Sequence, residues 1–518
     1  MKRRQFLRNA TVIGLPIALN GVPVAALPSF GEIDALSVEN DRILVLVQLI
    51  GGNDGLNTVI PVNRYRQLNE YRKDILIPEN KVLKISGDTG LHPAMEGIKS
   101  VFDDGQLGII QDVGYPNQNR SHFRSTDIWS TASASEEVLS SGWLGRYFQE
   151  EAPTFPDAYP NENDPDPFAI AVGNTVSATC QGEIANFGLA VNDPFSLTPI
   201  VVGEAGSVPD NYYGTQLKFM RNAITQTNEY GEVMKIAAEK GQSLSKLYPD
   251  GNRLGQQMQT VVKLISGGLQ TKVYIVRLGG FDTHSDQVQS GDVTKGRHGS
   301  LLETLSGAIA AFQDDLNLLG LEKRVVGMTF SEFGRRIRSN GSLGTDHGTA
   351  APLMVFGSCV QSGIMGNTPD LPEEASVGDG VSMQYDFRNV YGSMLQDWFG
   401  LEEERIQNLL FPDYTYMPIL TNCSISVSTS SHFLQNSVKI FPQPARNQLN
   451  IAFQVDQFKD GRLSVLDIYG RTLKVQPLQN LAKGAVQIRL NINRLPKGQY
   501  LLRIELGDSS VTKQFVKL

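Results

Sequence analysis

The stretch from Val273 to Phe330 constrains the fold more than any other part of the chain. Val273-Tyr274-Ile275-Val276-Arg277-Leu278 reads as a strand, and it ends in Gly279-Gly280-Phe281-Asp282-Thr283-His284. Leu302, Leu305, Ile309, Phe312 and Leu316 then recur at spacings of three and four, the period of a helix with one buried face, and Gly320 supplies its stop. A second apolar run, Val325 to Phe330, follows at once. Strand, helix, strand at this spacing is a crossover unit, so the two strands are expected to run parallel, joined by a right-handed crossover.

Other segments repeat the theme. Arg42 to Ile50 is an aliphatic run typical of a central parallel strand, and it breaks into Gly51-Gly52-Asn53-Asp54-Gly55. Leu107 to Val113 is another, running into Tyr115-Pro116-Asn117-Gln118-Asn119-Arg120-Ser121-His122-Phe123. Residues 214–246 and 253–266 are helical by pattern, as is the stretch 383–411 with Val390, Leu395 and Trp398 on its core side. Residues 148–212, rich in Pro, Asp and Asn, read as an insertion over the sheet, a lid. Beyond a Thr/Ser/Asn-rich linker at 421–437 the pattern changes to short strands: 438–441, 448–453, 462–468, 485–490 and 499–504. The fold class expected is α/β, a mostly parallel sheet sandwiched by helices over residues 40–412, followed by a small all-β sandwich over 438–518.

The N-terminus carries an address. Lys2-Arg3-Arg4-Gln5-Phe6-Leu7 precedes an apolar stretch from Thr11 to Leu19, and Val24-Ala25-Ala26 offers a small-residue cleavage site. Residues 1–26 are therefore expected to be a signal peptide, and the paired arginines resemble a twin-arginine signal, a general Sec signal being the alternative. No run of apolar residues approaches the ~20 needed for a transmembrane span. Fifty-four acidic against 46 basic residues, a net charge of −8, exclude a nucleic-acid surface. The three cysteines, Cys180, Cys359 and Cys423, are too scattered for a disulfide framework and read as free thiols, one bridge being the alternative.

The chemistry collects where strands end. Asp54, Asp282, His284, Glu332, Asp346 and His347 all lie in loops that follow strands or return to them, which is where open α/β sheets gather ligand-binding groups. Asp282 and His284 are two apart, so in an extended loop they point the same way. Carboxylates crowded at one rim repel unless a cation sits among them, and one or two divalent metal ions would resolve the conflict. Ser121 is then a candidate nucleophile, with Arg120 available to hold an anionic oxygen. Glu332 joins Ser121 as a candidate catalytic residue, and His122 and Arg335 join Arg120 as candidate substrate-binding residues.

Five motifs occurring in order, Gly51-Gly52-Asn53-Asp54-Gly55, Ser121-His122-Phe123, Gly280-Phe281-Asp282-Thr283-His284, Ser331-Glu332-Phe333-Gly334-Arg335 and Gly344-Thr345-Asp346-His347-Gly348, resemble the domain-of-unknown-function 1501 family. That family is similar to the alkaline phosphatase and sulfatase superfamily, which implies metal-dependent hydrolysis of esters. The resemblance implies Asp54, Asp282, His284, Asp346 and His347 as metal ligands and Ser121 as nucleophile. The tail motifs Ile440-Phe441-Pro442-Gln443-Pro444-Ala445, Leu466-Asp467-Ile468-Tyr469-Gly470-Arg471, Leu495-Pro496-Lys497-Gly498-Gln499-Tyr500 and Lys513-Gln514-Phe515-Val516-Lys517 are similar to the type IX secretion sorting domain of Bacteroidetes. That implies the type IX machinery as partner and an extracellular or outer-membrane-surface location. The function expected is an exported, metal-dependent hydrolase acting on phosphate or sulfate esters, small-molecule or polymeric. The alternative is a non-catalytic surface binding protein that keeps the fold.

Overall fold

The computed structural model describes residues 41–421 and 438–518, apart from residue 158, most of 198–210 and several turns of the C-terminal strands; of residues 1–40 it describes the short strands Ile17–Leu19 and Val22–Val24. The expected signal at 1–26 and linker at 421–437 lie largely outside the described residues. The chain divides into two compact units, residues 41–425 and residues 426–518 together with 1–40.

The first unit is built on a nine-stranded sheet. Its strands are β1 (Ile43–Ile50), β2 (Leu107–Gly114), β3 (Ala169–Val172), β4 (Gly188–Val191), β5 (Val273–Gly279), β6 (Val325–Phe330), β7 (Ala351–Phe356), β8 (Gly363–Met365) and β9 (Tyr385–Asp386). The order is β8-β2-β7-β6-β1-β5-β3-β4, with β9 also beside β2. Only β7 runs against its neighbours β6 and β2; every other pairing is parallel. β5 and β6, expected as parallel strands of one crossover unit, are not adjacent. β1 lies between them and is parallel to both.

Side-chain alternation explains why β1 takes the centre. Leu44 and Leu46 face one core, while Ile43, Val45, Val47 and Leu49 face the other, and all are almost fully buried. Each such side chain contributes about 1.5–3 kcal/mol on burial. Helices α1 (Tyr65–Arg72), α2 (Glu96–Asp103), α3 (His122–Thr131), α4 (Trp143–Glu151), α5 (Tyr212–Lys240), α6 (Arg253–Ser266), α7 (Arg297–Leu319) and α8 (Phe387–Phe399) accompany the sheet. α3, α4 and α8 close one face with Trp129, Trp143, Tyr391 and Trp398. α2, α5, α6 and α7 close the other with Ile98, Met234, Val262 and Phe312. The stretch 148–212 is more than an insertion: it contributes β3 and β4, which extend the sheet beyond β5. Cys359 is disulfide-bonded, which corrects its reading as a free thiol; Cys180 is free and buried, and Cys423 lies outside the described residues.

The second unit is all-β. A three-stranded antiparallel sheet holds β10 (Lys439–Phe441), β11 (Gln448–Val455) and β14 (Gly484–Asn491). A four-stranded one holds β12 (Lys459–Leu466), β13 (Thr472–Leu481), β15 (Gly498–Leu506) and β16 (Ser509–Lys517). Leu449, Ile451 and Leu490 of the first sheet share one core with Leu463, Leu502 and Phe515 of the second.

Candidate metal centre

The parallel strands β1, β5 and β6 end side by side, and their following loops meet. Gly51 makes the meeting close. Its φ is +122°, and a Cβ there would stand 2.2 Å from the Asp282 backbone nitrogen. The buried Arg335 ties the three loops together. Its guanidinium donates to the carbonyls of Gly51, Gly52, Phe281 and Thr345 and, at 2.7 Å, to Asp282 Oδ1. Burial pushes the Asp282 carboxyl up, but the Arg335 hydrogen bond and charge outweigh it and hold the group at about 2.

Three imidazoles converge on this carboxylate. His122 Nδ1 lies 2.8 Å from Glu332 Oε1, His284 Nδ1 3.0 Å from Asp346 Oδ1, and His347 Nδ1 2.8 Å from the Arg120 carbonyl. A carbonyl or ionised carboxylate only accepts, so each Nδ1 carries the hydrogen and each Nε2 presents a lone pair. Each Nε2 turns toward the Asp282 carboxylate. His284 Nε2 and His347 Nε2 are 2.9 Å apart and lie 3.1 and 3.3 Å from Asp282 Oδ1. His122 Nε2 is buried without a hydrogen-bond partner, 3.5 Å from Asp282 Oδ2. One ligand atom each from His122, Asp282 and His347 falls within 4.8 Å of the others.

Two lone pairs at 2.9 Å repel unless a cation or a shared proton lies between them. Imidazole nitrogens bound ~2.0–2.1 Å from one ion come about this close, and a carboxylate or carbonyl behind each Nδ1 is the usual support for such ligands. The donor set therefore fits a metal ion. Phe333, buried, packs its ring 4.9 Å from His122 and 4.6 Å from His347 and limits their rotation. Burial, ahead of the charges of Arg335 and His122, lowers the His347 pKa, which favours the neutral ring a ligand requires.

Of the residues singled out in the sequence, Asp282, His284 and His347 point into the centre, and His122 joins them rather than standing aside for substrate. Glu332 and Asp346 sit one bond further out. Glu332 also accepts from Gly51 N–H at 2.8 Å, and Asp346 accepts from Asn340 and from Arg336. Asp54 is placed apart. Its buried carboxylate binds Arg72 Nη1 at 2.9 and 3.1 Å and receives Gln287 Nε2, and although burial pushes its pKa up, Arg72 outweighs this and holds it low. Arg72 and Gln287 carry no motif; the demand of a buried Asp for a partner is the only sequence signal for them. Arg335 is buried, its guanidinium engaged by the loop carbonyls and Asp282, and the Arg120 guanidinium turns to the Gly378 carbonyl. Ser121 is exposed at the start of α3, its side chain making no cap bond, immediately before His122. A cleft of about 500 Å³ is lined by Arg120, whose carbonyl meets His347 Nδ1, and by residues that include Asn117, Gln118, Asp370 and Asp379.

A mostly parallel α/β unit with a convergent three-histidine, one-aspartate cluster at its strand ends is the class that fold and site define. Within that class the chain belongs to the DUF1501 family, described as a protein of unknown function, whose model matches residues 41–410. Residues 439–518 match the secretion system C-terminal sorting domain, which implies type IX sorting, export and a cell-surface location. No helix among the described residues is long and apolar enough to cross a membrane. No curated protein matches the chain. Among solved structures it is similar to a sulfatase from a Pseudoalteromonas species (9% identity, covering 87% of this chain and 84% of that one, TM-score 0.34). It is similar as well to a phosphonate monoester hydrolase from Silicibacter pomeroyi (9%, 92% and 89%, TM-score 0.33). A protein of the alkaline phosphatase superfamily from Vibrio parahaemolyticus is a third such structure (6%, 91% and 78%, TM-score 0.31).

Proposed function

We propose that this is an exported metal-dependent hydrolase of phosphate or sulfate esters, with one divalent ion held by His122, Asp282, His284 and His347. The observation that carries the reading is the set of three Nε2 lone pairs turned toward Asp282 while every Nδ1 is tied behind. A bound ion would act as Lewis acid and lower the pKa of a coordinated water toward neutrality. The protein's own part is positional. Glu332, Asp346 and the Arg120 carbonyl fix the tautomers, and Arg335 fixes Asp282 from below. Asp282, His122, His284 and His347 are partly exposed, so the centre keeps an open side for substrate. Ser121, exposed beside His122, is the nucleophile in this reading, with a water as its rival. Residues 1–26 serve as the export signal, so the mature chain starts at Leu27.

The test is elemental analysis of the mature protein purified without chelator, beside an Asp282→Ala/His284→Ala variant. About one equivalent of metal, lost in the variant, is expected. Metal in neither sample would sink the reading. Metal with no turnover of any aryl phosphate or sulfate ester would leave a surface binding protein with a structural ion.

A further inference from the structure

Charge around the centre is paired almost completely in place. Asp54 meets Arg72 at 2.9 Å, Asp282 meets Arg335 at 2.7 Å, and Asp346 meets Arg336 at 3.1 Å. In each pair one carboxylate cancels one guanidinium. Glu332 is left over: its Oε1 accepts from Gly51 N–H and from His122 Nδ1, both neutral donors, and it is buried. The three imidazoles are neutral when Nδ1–H donates and Nε2 binds an ion. The chain's own contribution is therefore one negative charge, and a divalent ion turns the centre to a single positive charge.

The cleft at Arg120 adds no net positive charge. Arg120 shares its lining with Asp379 and with Asp370, which pairs with Arg64 at 4.0 Å, so the charges there cancel, and Nη1 of Arg120 is engaged by the Gly378 carbonyl. A ligand bearing one negative charge balances the loaded centre; a second charge would enter a partly desolvated place where the nearby cation, Arg120, shares its cleft with Asp379. We propose that the site selects a singly charged tetrahedral oxyanion ester, a sulfate monoester or a phosphate diester, over a doubly charged phosphate monoester. The proposal rests on the reading of the Asp282–histidine cluster as a one-ion centre.

The test is binding, so it does not depend on turnover. The full-length protein is loaded with zinc, its metal content is measured, and methyl sulfate, dimethyl phosphate and methyl phosphate are titrated calorimetrically at pH 8, where only the last is doubly charged. At least one singly charged ligand should bind ~10-fold or more tighter than methyl phosphate. Which of the two binds tighter separates sulfate from phosphodiester. Asp346→Asn, which keeps an acceptor for His284 Nδ1 and removes one negative charge, should narrow the preference by about as much. Methyl phosphate binding equally or better, no binding by any of the three, or a preference unmoved in Asp346→Asn overturns the proposal while the metal content upholds the centre. Absence of bound zinc fails the one-ion centre itself.

Discussion

Glu332 touches no open space, yet two neighbours depend on one of its oxygens. Oε1 receives the Gly51 amide from the end of β1 and His122 Nδ1 from the start of α3, so a single atom fixes a backbone turn and the tautomer of a ligand. Glu332→Gln keeps the size and one acceptor but loses the charge that strengthens the donor ring. The expected loss in metal affinity is about 10–100-fold, read by competition with a chromogenic chelator, with the unfolding midpoint nearly unchanged. A fall in stability with unaltered metal affinity would make Glu332 merely structural. Asp54 gives the opposite result. Asp54→Ala strands the fully buried Arg72 charge, and a loss of about 3–5 kcal/mol is expected in denaturant unfolding. Its metal content should stay at the wild-type value, because its carboxylate is committed to Arg72 and Gln287. The sequence marks Asp54 and Asp282 alike as acids after a glycine pair. Nothing in the local pattern says that α1 will deliver an arginine to one of them, since that meeting is made by tertiary packing.

At the scale of elements, what could be read in the sequence followed burial. β1, β2, β5 and β6 lie in the interior of the sheet with both faces covered, so each shows a largely apolar run, and their ends fell within a residue of the expected ones. β7 is just as buried but opens with Ala351-Pro352 and follows a glycine-rich loop, so its signal is broken. β3 and β4, four residues each, sit in a Pro- and Asn-rich stretch that hides them. Irregularity inside an element is also invisible to pattern. Within β2, Asp112 takes φ +49°, opposite a register shift between Ala351 and Leu353 of β7. Burial pushes its carboxyl up to about 7, against the hydrogen bond from Gln384 Nε2. A folded-state pKa above the unfolded one means that the unfolded chain gives up its proton first. The group's contribution to stability is therefore intact below about pH 4 and is lost as pH rises through about 7, a matter of about 2–4 kcal/mol. Asp112→Asn tolerates the left-handed backbone and keeps the acceptor for Gln384. It should be the more stable protein at pH 8 in urea unfolding, the difference vanishing near pH 4; a difference independent of pH would refute the assignment.

For the whole molecule the decisive fact is that, among the described residues, each unit is built on apolar clusters of its own. The two large clusters that sandwich the nine-stranded sheet draw only on residues between Ile43 and Leu420, and the cluster of the antiparallel sheets only on residues from Val438 onward. Cooperative unfolding follows a shared core, so the two units should melt as two transitions in scanning calorimetry. The ligand atoms of the candidate centre all lie in residues 41–425. A metal that binds the folded unit alone stabilises it by RT ln(1 + [L]/Kd), about 2.7 kcal/mol at ~100 times Kd, which for a unit of this size is a shift of several degrees. Zinc should therefore raise one transition and leave the other where it was, and a chelator should reverse the shift. In the Asp282→Ala/His284→Ala variant the same transition should ignore zinc. A chain ended at residue 425 should retain the zinc-sensitive transition alone. If zinc moved both transitions together, or moved the one that the shortened chain lacks, the ion would be bound outside the three-histidine cluster, and with it the chemistry proposed for Ser121.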